Sequence, residues 1–319
     1  MEDKMKTAGS VQPRIPLQKL IPVIGLVLIV VVFEIVSRGR LLALRNLKNI
    51  LIQSYPVIII SVGAVFVFAH GGMDLSYGGV LGVSMYTAAA AAAFGWPLSV
   101  VFGMSLLTAV LWYVVNGGVT IFGNVPSFIA SLSVLYMCRG ILNTVCAHER
   151  KNIPPALFAY DSWAVKLPVL ITVVFLAWLI FEKTGFGKGD RAAGGNTYAA
   201  LQSGIKVNFV KFAGYLVSAV TVGIAAFFSL LRAGSVTTST GQGLEMNIIT
   251  ALVLGGVSLS GGTKTKMINA VLGAVMVILL RNALIVTGVN ERIVEGIQGV
   301  ALLLLVFLTY SRDKNSLLT

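Results

Sequence analysis

The chain has 319 residues, 56% of them hydrophobic and 11% charged, and a mean hydropathy of +0.89; a water-soluble protein cannot be that apolar, so lipid is the solvent for most of it. The net charge of +12 comes from 24 basic residues scattered at the ends of apolar runs. That distribution assigns them to lipid headgroups and topology and excludes a nucleic-acid patch.

Apolar runs long enough to cross ~30 Å of hydrocarbon at ~1.5 Å per residue recur from end to end. They fall at residues 17–36, 54–70, 75–94, 98–120, 125–146, 165–182, 209–231, 244–258, 266–286 and 293–310. About ten transmembrane helices in one membrane domain, residues 1–319, are expected. Runs such as 20–33 and 167–181 are almost continuously apolar, where a β-barrel would alternate. The first run, from Leu17, is too long for a signal-peptide core and lacks a small-residue cleavage site, so it is expected to stay as a span. With the amino terminus inside, basic residues lean slightly to the inner segments: Lys4, Lys6, Arg14 and Lys19, then Lys183 to Lys211, Lys264 with Lys266, and Arg312 with Lys314. Outside, residues 38–52 combine Arg38, Arg40, Arg45 and Lys48 with Leu41, Leu44, Leu47, Leu51 and Ile52 at helical spacing, the pattern of an amphipathic helix lying in the interface.

Next comes His70-Gly71-Gly72-Met73-Asp74-Leu75-Ser76, squeezed between two apolar runs. The glycine pair permits unusual backbone angles, so a broken helix or buried turn is expected near Asp74. Ionisable groups inside a membrane are costly. Asp74 is expected either to orient the helix ends, the preferred reading, or to face a polar cavity. Gly78, Gly79 and Gly82, followed by Ala88 to Ala93, let helix backbones approach closely. Asn116, Asn124, Ser127 and Ser131 supply neutral hydrogen-bonding groups around the fourth and fifth spans; Ser133, Tyr136 and Arg139 follow, and Glu245 opens the eighth span. Cys138 and Cys146 stand in an apolar stretch without a second pair and are read as packing residues, neither a disulfide framework nor a zinc site. A sugar-like solute needs hydroxyl partners and an aromatic face, and Phe128, Tyr136 and Trp112 are candidates for the face, with lipid anchoring the commoner use of such residues. The longest polar stretch between spans, Lys183 to Lys211, carries five basic residues and is the natural seat of a cytosolic partner.

Several chemistries are missing. The nearest approach to a P-loop, residues 256–263, has Gly262 where the lysine belongs and no strand before it. His148-Glu149-Arg150-Lys151-Asn152 stops short of a zinc-binding His-Glu-x-x-His, and no Gly-x-Ser-x-Gly elbow appears. No catalytic residue, resident metal or cofactor is expected.

Five segments, in order, resemble the permease subunits of ribose-type ATP-binding-cassette importers, which carry monosaccharides and related small solutes. These are Asn46-Leu47-Lys48-Asn49-Ile50-Leu51 with Gln53; Gly71-Gly72-Met73-Asp74-Leu75-Ser76, the most specific; Asn124-Val125-Pro126-Ser127-Phe128-Ile129-Ala130-Ser131-Leu132 with Arg139-Gly140; Gly194-Gly195-Asn196 with Ala199, Ala200 and Ser203-Gly204-Ile205; and residues 241–262. Residues 187–193, Thr197-Tyr198 and Gln202 depart from the family's charged pattern around the fourth segment. The resemblance implies an importer permease fold, a cytosolic ATPase-docking loop at 183–208 and a pathway formed with a second permease copy or paralogue. It also implies a solute-binding protein outside, ATP and magnesium held by partner ATPases, and a seat in the bacterial inner membrane. Docking falls to Gly194, Gly195, Asn196, Ala200, Ser203 and Gly204. Candidate pathway residues are Asp74, Ser76, Asn116, Asn124, Phe128, Ser131 and Glu245. The rival reading is a secondary transporter coupled to a proton or cation through Asp74 or Glu245.

Overall fold

A computed structural model describes residues 21–148, 151–259, 261–262 and 265–309. The terminal basic residues and Lys264 of the charge reading, and part of the 256–263 segment, lie outside the described residues. The described chain is helical: α1 Ile21–Val36, α2 Leu44–Ala69, α3 Tyr77–Ala93, α4 Leu98–Ile121, α5 Ser127–His148, α6 Trp163–Trp178, α7 Gly185–Gly195, α8 Thr197–Gln202, α9 Val207–Ala233, α10 Leu244–Leu254, α11 Met267–Val286 and α12 Glu291–Thr309. A 3₁₀ segment, Pro155–Tyr160, precedes α6, and a π-helical turn, Leu179–Lys183, follows it. One isolated bridge, Asn152 with Ser235, is the only β-pairing among the described residues. The fold is that of an all-α membrane protein.

A helix overlies each of the ten expected spans, but they are not ten equal crossings. Among the described residues six are long and apolar enough to cross a membrane: α2, α4, α5, α6 with its π turn, α9 and α11. α3 has 17 residues and α10 has 11, so α10 extends only ~16 Å. Both short helices follow a non-helical stretch that follows a long helix.

The expected interfacial helix at residues 38–52 is not a separate element. α2 starts at Leu44 and runs unbroken for 26 residues through Pro56. Nothing between Ile52 and Tyr55 breaks a helix, and in a bundle neighbouring groups tolerate an internal proline. The turn before it is pinned by Asn46, whose side chain donates to the Leu41 carbonyl at 2.8 Å and to Asn282 Oδ1 of α11 at 2.7 Å.

α2 and α9 form the centre, each with 72% of its most apolar stretch buried, whereas α6, at 17%, lies at the edge. α3, α4 and α5 pack on one side of this pair, and α10 and α11 on the other, with α1 and α12 outermost. Lipid tails are as apolar as leucine, so close backbone approach has to hold the helices together. The glycines of α3 serve this: a Cβ at Gly79 would press on Cys138 and Leu135 of α5, and one at Gly82 on Leu142. Cys138 and Cys146 are free and buried, Cys138 within that contact.

Candidate functional site

The break after α2 is built around Asp74, which is fully buried. Its Oδ1 accepts the backbone N–H of Ser76 at 2.8 Å and the Ser76 hydroxyl at 2.7 Å, while Oδ2 accepts the Tyr113 hydroxyl at 2.8 Å. Asn116 Nδ2 lies 3.3 Å from both Oδ1 and the Ser76 hydroxyl. The carboxylate thus satisfies a backbone donor just before α3 and fastens that helix start to α4, a favourable place for negative charge at a helix amino terminus. Tyr77, Tyr113 and Tyr215, all with no exposed surface, surround it. Both carboxylate oxygens are engaged and closed off from solvent. Through these bonds Asp74 ties the start of α3 to α4.

Motif segments that are far apart in sequence meet at this break. Met73 donates its N–H to Ser127 Oγ at 2.9 Å, and Ser131 donates to the Met73 carbonyl at 3.4 Å, so the start of α5 is stitched to it. Gly262 donates to the Ala69 carbonyl at 2.9 Å, and a side chain at Gly261 would strike Gly71. Gly194 of α7 is held so close that a Cβ there would overlap the same Ala69 carbonyl. Gly241 lies against Gly78.

A model of the permease component of branched-chain amino acid transport systems matches residues 46–306. The ribose import permease protein of Bacillus subtilis is 31% identical over 302 residues, 92% of each chain. That of Escherichia coli K12 is 30% identical over 294 residues, 88% of this chain and 91% of its own. The chain belongs to this permease family. The autoinducer 2 import system permease protein of Yersinia enterocolitica is 28% identical over 277 residues, 83% of this chain and 75% of its own. No solved structure matches. The chain is the transmembrane subunit of an importer, seated in the bacterial inner membrane, and the secondary-transporter alternative falls away.

In a permease, residues on the membrane-facing surface matter as much as buried ones. Ser76, Asn116 and Ser131 join Asp74 inside the chain with no exposed surface. Asn124 is exposed, in a positive-φ turn (φ 53°) between α4 and α5, and Phe128 is 47% exposed. Beyond Phe128 the outward side of α5 carries Ser133, Tyr136, Gly140, Asn143 and Thr144, all exposed. Their spacing of three and four puts them on one helix face, which packs on none of the described helices. A search confined to ionisable groups misses this stripe, although its periodicity stands in the sequence. Beside it, Arg139 donates to the Thr240 carbonyl at 2.7 Å and approaches Glu245 at 3.9 Å, with side chains 16% and 15% exposed. Among the described residues no cluster could hold a metal ion.

Residues 183–208 divide in two. α7 is anchored: Thr184 caps it by accepting from Gly187, and Asp190 and Ala193 are buried. Burial pushes the Asp190 carboxyl above its ordinary value, and hydrogen bonding to His70 opposes this. α8 is presented: Asn196 caps it by accepting the Ala199 N–H at 2.9 Å, and Ala200 packs inward with Ala193 and Val207. Tyr198 and Leu201 are 81% and 52% exposed, and Gly195, Asn196, Ser203 and Gly204 are exposed around them.

Proposed function

We propose that this chain, with a second copy or a paralogue, forms the membrane pathway of an ATP-driven importer for a small polyhydroxylated solute, a monosaccharide such as ribose or a close relative. α8 is the carrying observation. It is a short helix with a large tyrosine and a leucine turned outward, ringed by small residues, and clamped from behind by α7 and α9. Exposed apolar anchors on a rigid support are what a protein partner binds. Residues 183–208 then engage an ATPase, which holds ATP and magnesium; this chain binds no cofactor of its own, and a solute-binding protein loads the pathway from outside. The names of the ribose import relatives support the solute class, as does the polar stripe of α5. Ser133 and Thr144 donate to the Ile129 and Gly140 carbonyls of their own helix, which leaves their oxygens free to accept from a polyol, while the Asn143 amide is costly toward lipid, and Tyr136 and Phe128 offer aromatic faces.

The test is to co-express the chain with the ATPase and binding protein encoded beside it and to measure association and solute-stimulated ATP hydrolysis in lipid discs. Tyr198→Ser with Leu201→Ser should reduce ATPase association more than about tenfold, the loss of two anchors, while thermal stability changes by less than about 0.5 kcal/mol, as at other surface sites. Undiminished association would place the docking surface elsewhere.

A further inference from the structure

The end of α2 is where the docking segment meets the break. His70 Nδ1 lies 2.9 Å from Asp190 Oδ1 of α7, with the two side chains 4% and 0% exposed. The adjacent Ala69 carbonyl is the one against which Gly194 is pressed. Three residues beyond His70, Met73 is bonded on both sides to Ser127 and Ser131 at the foot of α5. A continuous series of contacts therefore runs from α7 through His70 and the break to the helix whose outer face is polar.

If this contact only filled space, apolar side chains would serve as well, because a buried polar pair adds little net stability over good packing. What a hydrogen-bonded pair adds is direction: it fixes one arrangement and can exchange it for another. Two features point to a second arrangement. Asp190 Oδ2 is buried without a hydrogen-bond partner among the described residues, a cost that a settled core removes. In addition, a cavity of about 320 Å³, lined by His70, Gly71, Gly72, Ser127 and Lys211 among others, lies beside the break. This cleft opens outward past Asn124 and Leu201, so the backbone of the break has free space on that side; Gly71, at φ 81°, stands where it would pivot.

We propose that His70 and Asp190 are the coupling joint of this permease: positioning residues that carry displacement of the docking segment to the break and so to α5. The proposal rests on the reading that residues 183–208 engage an ATPase. The joint is a two-position element biased by the ATPase at one end and the pathway at the other.

The test uses the full complex in lipid discs. Asp190→Asn and His70→Gln are compared with wild type for ATPase association, for hydrolysis with and without loaded binding protein, and for uptake in vesicles. In both variants the ATPase should remain bound, while stimulation by loaded binding protein and uptake fall together by about tenfold or more, the scale of a lost coupling free energy. Stimulation and uptake near wild type in both would overturn the joint. So would failure of both variants to insert or to retain the ATPase, since the pair would then be a folding or docking element. A wild-type complex that binds no ATPase would instead sink the reading of residues 183–208, a separately visible result.

Discussion

The chain breaks its helices twice in similar fashion, and the two breaks differ in how they treat their acid. After α2, residues 70–76 carry Asp74 just ahead of α3; after α9, residues 234–243 lead to Glu245 in the first turn of α10. Each acid stands near the amino terminus of a short helix, where the helix dipole favours it. Asp74 has no exposed surface, and both its oxygens are hydrogen-bonded. Glu245 is partly exposed, its nearest cation is 3.9 Å away, and its Oε2 has no hydrogen-bond partner. The first break is finished inside the chain. The second leaves an acid and an arginine mostly buried beside the outward face of α5, their side chains 15% and 16% exposed, with Glu245 Oε2 and one Arg139 nitrogen lacking hydrogen-bond partners among the described residues.

The largest effect that would test this contrast is at Asp74. Asp74→Ala leaves the Ser76, Tyr113 and Asn116 donors buried without their acceptor, so a loss of about 3–5 kcal/mol is expected. The readouts are a lowered melting temperature in detergent and poor accumulation in membranes. Asp74→Asn keeps the shape and one acceptor and should fall between. If Asp74→Ala were as stable as wild type and lost only uptake, Asp74 would belong with Glu245 rather than with the frame.

Gly78 joins the two breaks physically, since a Cβ there would overlap both the Gly241 carbonyl and the Glu245 carboxylate. Gly78→Val should cost about 1–3 kcal/mol by overpacking and push α10 away from α3. Loss of uptake beyond what the fall in melting temperature explains would show that the second break must stay seated on the first. A variant with wild-type stability and uptake would show that the breaks are independent.

Much of the first break was legible in sequence and little of the second. The pattern Gly71-Gly72-Met73-Asp74 between two apolar runs announces a break with a buried acid, because no ordinary helix would carry it there. Glu245 gives no such signal: it opens an apolar run, where an interfacial charge looks the same. The shortness of α10 is hidden too, since residues 255–258 are apolar or small and read on as helix until Gly256 turns with φ 85°. The polar face of α5 was legible as spacing, yet its outward direction depends on which neighbours α5 packs against. His70 and Asp190 are 120 positions apart, and no local pattern pairs them. At residues 38–52 the amphipathic spacing was real, and what it could not reveal is that the helix simply continues.

The smallest expected effect on stability, and the sharpest test of the contrast, is Glu245→Gln. Glu245→Gln keeps the side-chain shape and removes only an ion pair that is 3.9 Å long and has no hydrogen bond between its two groups, and Arg139 keeps its bond to the Thr240 carbonyl. The melting temperature should therefore stay close to wild type while uptake falls several-fold. Arg139→Gln is the control, for it loses the Thr240 bond as well and should destabilise by roughly a further 1 kcal/mol. A Glu245→Gln protein that unfolds as readily as Asp74→Ala would make the second break a frame like the first and move the pathway away from it. One that is stable but slow would leave Glu245 a part in transport that Asp74, with both oxygens hydrogen-bonded, does not share.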